Sequence, residues 1–265
     1  MIKKKEIKIM NDEILKNEIE RMKKIEELEL KYLNKYYYFL KFAEDEMFLG
    51  FKTKEKIKDD WWGLYGNEEG KGISDFAVGA ERIVYALLNG KGIGQPNSSP
   101  VGSDLFFEVE DAYIHIDMKT VQKENIGDFN TSIFVGRNQN SYKGSMTVRE
   151  KGEREYIPAL PTFYNKGKEN EKICLSYFIT ILYDRDNLDI LVITLDCMPN
   201  GELEKHYKNR VLKAGKNPDK TRFNRKEVNK FELLDNKPSR IKVIYFDKKM
   251  DEETKKKLEL FEKIY

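Results

Sequence analysis

The sequence predicts an α/β fold in which a central mixed β-sheet is flanked by helices and preceded by a helical N-terminal extension. Apolar residues recur at helical spacing in residues 12–48. From residue 104 onward, β-branched and aromatic runs alternate with turn residues. The chain has 265 residues, of which 40% are hydrophobic, so it can bury a core. We expect residues 1–60 to form a helical region packed on a core of residues 61–265.

Helices are predicted at three places. In residues 12–48, apolar side chains stand three and four residues apart among Glu and Lys, which indicates one or two amphipathic helices. A further helix is expected over residues 75–89, with Ser74 as its N-cap and Gly90 as its stop. The closing residues 251–265 return to helical spacing.

Five runs are strand-like, and the longer ones are apolar enough to be central in a sheet. These runs are DLFFEVE at 104–110, YIHIDMKTV at 113–121, ICLSYFITILY at 173–183, DILVITLDCM at 189–198 and RIKVIYF at 240–246. A short turn at Glu110 and Asp111 is expected to fold the second run back antiparallel on the first.

Composition limits the class of function. The net charge is only +2, from 48 Lys and Arg against 46 Asp and Glu, so a polyanionic partner must be argued from local charge clusters. No stretch approaches the roughly 20 apolar residues that span a bilayer, and we expect a soluble, cytoplasmic protein without a membrane partner. Cys174 and Cys197 lie in apolar runs and are expected to be buried free thiols. His115 and His206 are isolated and no P-loop pattern occurs, so neither a zinc site nor a nucleotide cofactor is expected.

Two acidic residues and a lysine are expected to converge on neighbouring strands. Because strand side chains alternate, Asp117 and Lys119 share one face of the second run. The opposite face is the core face, formed by Ile114, Ile116 and Met118. The turn before this run carries Asp104, at the start of the first run, toward Asp117.

This arrangement suits a hard divalent cation. Two close carboxylates are costly without a cation between them, and Mg²⁺ is typically held by one or two carboxylates and waters. Such an ion polarises a phosphoryl oxygen and lowers the pKa of its bound water, while Lys119 orients that water or stabilises developing charge. The pattern indicates phosphodiester hydrolysis. Acid-x-Lys triplets are common in this chain, so an ordinary cross-strand ion pair is the alternative.

Glu81 lies on the apolar stripe of the helix expected over 75–89, between Ala77 and Val84. An inward-facing carboxylate is costly without a partner. We therefore expect a metal-centred site or a buried Lys or Arg opposite Glu81, and the alternative is a Glu at the edge of the stripe that reaches solvent.

The run VGSDLFFEVEDAYIHIDMK at 101–119, with its upstream helical Glu, resembles the PD-(D/E)xK nuclease core, and the whole chain resembles a type II restriction endonuclease. The match covers residues 75–142 at motif level. One departure is that Ser103 stands where the motif name has Pro. The resemblance implies a restriction-endonuclease-like core, a central mixed sheet flanked by helices.

The resemblance also implies roles for individual residues. Asp104 and Asp117 are expected to bind Mg²⁺, with the carbonyl of Met118 as a third ligand. Lys119 is expected to handle the attacking water. Glu81 matches a helical acid that many members add to the catalytic site.

Two further segments fit a DNA partner. The segment 131–145 packs together side chains that pair with base edges or phosphates, namely Arg137, Asn138, Gln139, Asn140, Ser141 and Tyr142. Residues 202–230 carry ten Lys or Arg against four acids. Here and in the last strand-like run the candidate DNA contacts are Arg222, Asn224, Arg225 and Arg240. An ordinary polar turn and a solvated basic loop are the alternatives for these segments.

The function expected from these features is sequence-specific, Mg²⁺-dependent cleavage of double-stranded DNA that leaves 5′-phosphate ends. A palindromic site calls for a homodimer in which each subunit supplies one active site. Two alternatives remain open: a structure-specific or repair nuclease with the same core, and a DNA-binding protein without cutting activity.

Overall fold

The computed structural model describes residues 2–56, 75–90, 95–96, 103–149, 151–186, 189–215 and 220–265. The helices are α1 (Ile2–Phe42), α2 (Glu44–Lys56), α3 (Asp75–Gly90), α4 (Ile126–Thr131), α5 (Glu204–Tyr207), α6 (Glu252–Lys257) and α7 (Glu259–Ile264). The helices predicted from apolar spacing are confirmed, and Gly90 ends α3. The proposed cap at Ser74 lies outside the described residues.

The main sheet runs through the middle of the molecule. Its strands are β1 (Gln95–Pro96), β2 (Leu105–Glu108), β3 (Ala112–Gln122), β7 (Phe163–Tyr164), β8 (Lys172–Tyr183), β9 (Ile190–Met198) and β12 (Ile241–Phe246). Their order is β1-β2-β3-β8-β9-β12, with β7 also paired to β8. The pairing of β3 with β8 is parallel and the others are antiparallel, so the predicted mixed sheet is confirmed.

The long apolar runs of the sequence become the centre of this sheet. Every residue of β9 is buried, as is every residue of β8 after Lys172. Strands covered on both faces need no polar alternation, which explains the near-continuous apolar sequence. Cys174 and Cys197 lie on these two strands as buried free thiols, as predicted.

Two smaller sheets are formed by strands that do not belong to the main sheet. The first contains β10 (Leu212–Ala214), β11 (Thr221–Phe223) and β4 (Ile133–Val135), and the second contains β5 (Gly144–Val148) and β6 (Gly152–Tyr156). β4 and β11 are antiparallel neighbours, so the polar segment that follows β4 is fixed against the basic segment that contains β11.

The long helix α1 packs directly on the main sheet. The Tyr36 ring lies 6.3 Å from that of Phe107 and 6.0 Å from that of Tyr177, and the Tyr177 hydroxyl donates a hydrogen bond to the Glu29 carbonyl. Helix and sheet residues belong to one continuous hydrophobic core. The predicted boundary between residues 60 and 61 lies outside the described residues.

Arg240 joins α1 to the far edge of the sheet. Its guanidinium is completely buried and contacts Glu29 Oε2 at 2.8 Å and Glu26 Oε1 at 2.9 Å. The Phe231 ring lies against the same guanidinium, with its centroid 4.1 Å away. The prediction that Arg240 contacts DNA is therefore wrong, because its charge is neutralised inside the protein and no part of it reaches the surface.

Arg225 is also internal. It is completely buried beside Asp196, with its Nε 3.2 Å from Oδ1, and its guanidinium lies against the adjacent rings of Phe129 and Phe261. The predicted DNA contact of Arg225 is wrong for the same reason.

None of the helices in the described ranges combines the length and the apolar character that spanning a bilayer requires.

Candidate active site

The β2–β3 hairpin brings Asp104 and Asp117 together. Leu105 pairs with Ile116, so the preceding residue, Asp104, lies opposite Asp117. The Met118 amide donates a 2.6 Å hydrogen bond to Asp104 Oδ2, which ties the exposed Asp104 to the neighbouring strand. The turn predicted at residues 110–111 is present, and it fixes this register.

The Asp117 side chain is almost completely buried. It is only 3% exposed. Its pKa is raised to about 7, with burial as the largest cause; the charges of Asp104 and Glu81 also raise this pKa, and Lys119 opposes the rise. Lys119 Nζ forms an ion pair with Asp117 Oδ2. Among the residues that the structure describes, no hydrogen bond of ordinary geometry reaches this oxygen.

Lys119 lies on the same strand face, two residues after Asp117. Its side chain is mostly buried, between the rings of Phe134 and Phe178, whose centroids are 5.5 and 5.8 Å from Nζ. Nζ also donates a 3.3 Å hydrogen bond to Gln139 Oε1. The ammonium is therefore held at the Asp117 carboxylate by its neighbours.

Glu81 joins the same electrostatic group from α3. It is partly buried, and its pKa is raised first by burial and then by the charge of Asp104, while Lys119 and Arg82 oppose the rise. Three carboxylates and one ammonium therefore lie within electrostatic reach of one another.

The donor set fits a hard divalent cation. Asp117 presents a buried carboxylate whose Oδ2 is paired with Lys119, and Asp104 offers a second carboxylate from the adjacent strand. The Met118 N–H points toward Asp104, and in a strand the carbonyl of the same residue points to the same side. Within the described ranges, no three His, Cys, Asp or Glu side chains form a ready metal cage. Two carboxylates, a carbonyl and waters are the ligands that Mg²⁺ accepts.

The segment after β4 divides into an outer and an inner part. Arg137 and Asn138 are exposed, and Gln139 turns inward to Asp117 and Lys119. The predictions that Asn140, Ser141 and Tyr142 contact DNA are wrong, because these residues are buried. Asn140, Ser141 and Tyr142 are at most 4% exposed, and their side chains bond to Tyr156, Gly201 and Lys208 within the protein.

Several charges of the basic segment are paired with acids of the same chain. Arg222 lies 2.9 Å from Asp128, and the Asn224 amide donates to Glu227. Both side chains are partly exposed, so their contact with DNA stays a prediction. Arg210 forms two 2.7 Å hydrogen bonds with Glu232. The charge excess seen in the sequence therefore overstates the basic surface.

His115 shares the strand face of Asp117, but its ring is held by other partners. Its Nδ1 lies 2.9 Å from Ser103 Oγ and its Nε2 lies 3.0 Å from the Tyr164 hydroxyl. Burial lowers its pKa to about 4, so the ring is neutral at physiological pH. Both ring nitrogens are engaged, which supports a structural role.

Comparisons with known proteins match most of the chain. A family model described as the N-terminal domain of the type II restriction enzyme MwoI matches residues 21–187, and one described as its central domain matches residues 190–246. The chain belongs to the MwoI family of type II restriction enzymes. It is a sequence-specific deoxyribonuclease, and restriction endonucleases generally use divalent metal ions. No curated protein matches the chain.

Solved structures share the fold of this MwoI-family enzyme. The restriction endonuclease BglI, bound to its DNA recognition sequence, matches with a TM-score of 0.63 and 14% identity over 89% of this chain and 96% of its own. The tetrameric restriction endonuclease SfiI, bound to cognate DNA, gives a TM-score of 0.63 and 14% identity over 86% of this chain and 87% of its own.

A groove adjoins the active site of the MwoI-family enzyme. Its volume is about 380 Å³, and it is lined by Phe134, Val135, Gly136, Arg137, Arg154, Glu155, Tyr156, Ile157, Lys220 and Thr221. The Phe134 ring lies between two ammonium groups, 5.5 Å from Lys119 Nζ and 5.0 Å from Lys220 Nζ. The groove therefore opens beside Lys119 with basic side chains on its walls.

Sequence reasoning missed two features of this site. Lys220 and Phe134 line the groove, but neither stands in a motif. Gln139 was predicted as a DNA contact, and its bond to Asp117 spans 22 residues. No local sequence pattern marks such a contact, because it depends on how the turn after β4 packs beside β3.

Proposed function

We propose that Asp104, Asp117 and Lys119 form the catalytic centre of a Mg²⁺-dependent endonuclease that cuts double-stranded DNA and leaves 5′-phosphate ends. The observation that carries the proposal is the convergence of the two aspartates beside one mostly buried lysine. A solvated cross-strand ion pair does not account for it, because Asp117 is only 3% exposed and shares one ammonium with two further carboxylates, Asp104 and Glu81.

Each side chain has a role that follows from its position. When bound, Mg²⁺ supplies charge to the scissile phosphate and lowers the pKa of a water. Asp117 and Asp104 would hold the ion, with the Met118 carbonyl on the same side of the strand. Lys119 is set to orient the attacking water and to stabilise the negative charge that develops on the phosphate. Its flanking rings restrict the ammonium to this position.

Glu81 is proposed as an additional acid of this centre. Its electrostatic coupling to Asp104 and Lys119 supports a role in holding a water of the ion or a second ion. It lies on a different element, α3, so it approaches the carboxylates from the helix side of the sheet.

The two alternative functions have less support. A repair or structure-specific nuclease has no need for base-reading side chains, whereas Arg137 and Asn138 are exposed beside the groove. A DNA-binding protein without cutting activity has no need for the costly burial of Asp117 against Asp104 and Glu81.

We also propose that the enzyme acts as a homodimer in the cytoplasm. Cleavage of both strands at a two-fold symmetric site requires two active sites, and a two-fold dimer supplies them. SfiI, which shares the fold, is tetrameric, which supports an assembly of more than one chain. The two free thiols fit a reducing compartment.

The proposal is tested by cutting unmethylated phage DNA in the presence and absence of Mg²⁺ and by sequencing the fragment ends. We expect discrete fragments that a DNA ligase rejoins without added kinase, and no cutting in EDTA. Asp104→Ala, Asp117→Ala and Lys119→Ala should each reduce the cutting rate by roughly 10²–10³-fold or more, since each removes a group that acts on the reacting phosphate.

Matched controls are Lys123→Ala and Asp186→Ala, which change the same residue types away from the site. Lys123 pairs with Asp251, and Asp186 is exposed after β8. Both controls should cut at the rate of the unchanged protein. A smear in place of discrete bands would favour the repair nuclease, and normal cutting by Asp117→Ala or Lys119→Ala would show that the site is misassigned.

A further inference from the structure

Gln139 makes three hydrogen bonds that close a ring between the catalytic strand and the turn 136–139. Its Nε2 donates to Asp117 Oδ1 at 2.8 Å. Its Oε1 accepts from Lys119 Nζ at 3.3 Å and from the Gly136 amide at 2.7 Å. The side chains of Asp117, Lys119 and Gln139 are thus linked to one another.

The network fixes the orientation of the Gln139 amide. The oxygen faces two donors, Lys119 Nζ and the Gly136 amide, and the nitrogen faces an acceptor, the Asp117 carboxylate. Rotating the amide by 180° would set donor against donor twice and acceptor against acceptor once. Only one orientation satisfies every group, so the side chain is locked in the site.

The turn that carries Gln139 is itself anchored. The Gly136 carbonyl accepts a 2.8 Å hydrogen bond from the Tyr156 hydroxyl and a 3.1 Å hydrogen bond from Asn140 Nδ2. Asn140 Nδ2 also donates to the Tyr156 hydroxyl at 2.8 Å. This buried polar network explains why Asn140 is internal: it holds the turn in place.

The outer surface of the same turn lines the groove. Arg137 and Asn138 are exposed, and Gly136 and Arg137 belong to the groove wall. One short turn therefore presents side chains toward the groove on one side and Gln139 toward Asp117 on the other.

We propose that Gln139 is a positioning residue, which orients the Asp117 carboxylate and the Lys119 ammonium and couples them to the turn that lines the groove. The inference rests on the proposed function of Asp117 and Lys119. Groups that hydrogen-bond to metal-binding carboxylates typically change metal affinity or activity by 10–100-fold when they are replaced. Gln139 acts through its neighbours and needs no contact with the reacting phosphate.

The experiment compares three variants of the full chain. Gln139→Met keeps the size of the side chain and removes all three hydrogen bonds. Gln139→Glu keeps the acceptor for Lys119 and Gly136 but replaces the donor to Asp117 by a negative charge. Gln122→Met is the matched control, because Gln122 is a glutamine at the end of β3 that bonds to the Tyr183 hydroxyl, away from the carboxylates.

The measurements are the single-turnover cutting rate at saturating DNA and Mg²⁺, the Kd for the same duplex without divalent ions, and Tm. We expect both Gln139 variants to cut about 10–100-fold more slowly. Their Kd should change less than about threefold and their Tm by only a few degrees, and the control should match the unchanged protein.

The inference is overturned if Gln139→Met cuts within about twofold of the unchanged rate. It is also overturned if its loss of rate is matched by Gln122→Met or is explained by a smaller folded fraction. These results are distinct from failure of the proposed function, which Asp117→Ala tests alone: if that variant cuts normally, the catalytic centre lies elsewhere.

Discussion

Gly201 occupies a position where a single methyl group cannot be placed. It begins the helical turn after β9, and a Cβ there would lie 2.2 Å from the Ser141 carbonyl oxygen and 2.8 Å from Thr162 Cγ2. Its amide donates a hydrogen bond to Ser141 Oγ. The close approach holds the segment that follows Gln139 against the end of the sheet.

We therefore predict that Gly201→Ala lowers the free energy of unfolding by about 1–3 kcal/mol, because backbone atoms must move to admit the methyl group. Gly127→Ala is the control: Gly127 lies in α4, and a Cβ there meets nothing within 4 Å. That variant should be neutral or gain up to about 1 kcal/mol. Urea unfolding measures both, and equal stability of the two variants would contradict the prediction.

The strands of the sheet could be predicted from the sequence, but the burial of polar side chains in the segments expected to contact DNA could not. Strand runs are local patterns of apolar and β-branched residues, and the alternation of faces placed Asp117 and Lys119 together before any contact was known. The short turn before β3 then brought Asp104 to them. These are short-range rules, so the hairpin and the convergence of Asp104, Asp117 and Lys119 could be predicted.

Burial of polar side chains depends on packing between distant elements. Asn140 and Tyr142 look like surface residues in sequence, but they bond to Tyr156 and to the carbonyl of Lys208. Arg225 lies in a basic run, but it forms an ion pair with Asp196, which lies on the distant strand β9. Composition alone cannot distinguish a buried, paired arginine from one that faces DNA, which is why these contacts were misassigned.

Glu232 connects two segments of the basic region through charge. It accepts two hydrogen bonds from Arg210 and lies 2.9 Å from His206 Nε2. The Arg210 hydrogen bonds are the largest cause that lowers its pKa, which falls to about 2 from an ordinary value of 4.5. A lowered acid pKa means that folding favours the charged form.

The stabilising effect of Glu232 is therefore present above about pH 4.5 and is lost as the pH falls through 2. We predict that Glu232→Gln lowers Tm at pH 7 and that the difference from the unchanged protein narrows between about pH 5 and pH 3. Glu169→Gln, at an exposed acid, should show no such trend. A difference in Tm that stays constant with pH would rule out the linkage.

At the scale of the whole molecule, Arg240 forms a completely buried ionic connection between α1 and the rest of the chain. It neutralises Glu26 and Glu29, and the Asn200 amide also donates to Glu29 at 2.6 Å. Burial raises the pKa of Glu29 to about 7 despite the opposing charge of Arg240. The cluster is satisfied only while helix, loop and sheet edge stay together.

We predict that Arg240→Met lowers the free energy of unfolding by about 3–5 kcal/mol, since it leaves two buried carboxylates without their cation. Arg185→Met, at an exposed arginine, should change stability by less than about 0.5 kcal/mol. Chemical denaturation of both variants measures the difference. If Arg240 instead acted on DNA, stability would be retained while the Kd for DNA rose.

The shared core of α1 and the sheet has a practical consequence for hybrid enzymes. Tyr32, Leu33, Tyr36 and Leu40 are at most 1% exposed because the sheet covers them. A chimaera that carries only the strands on another scaffold would lack α1. The sheet face that α1 covers would then be exposed, and Arg240 would lose its counter-ions Glu26 and Glu29. The first helix must accompany the cutting machinery whenever that machinery is transplanted.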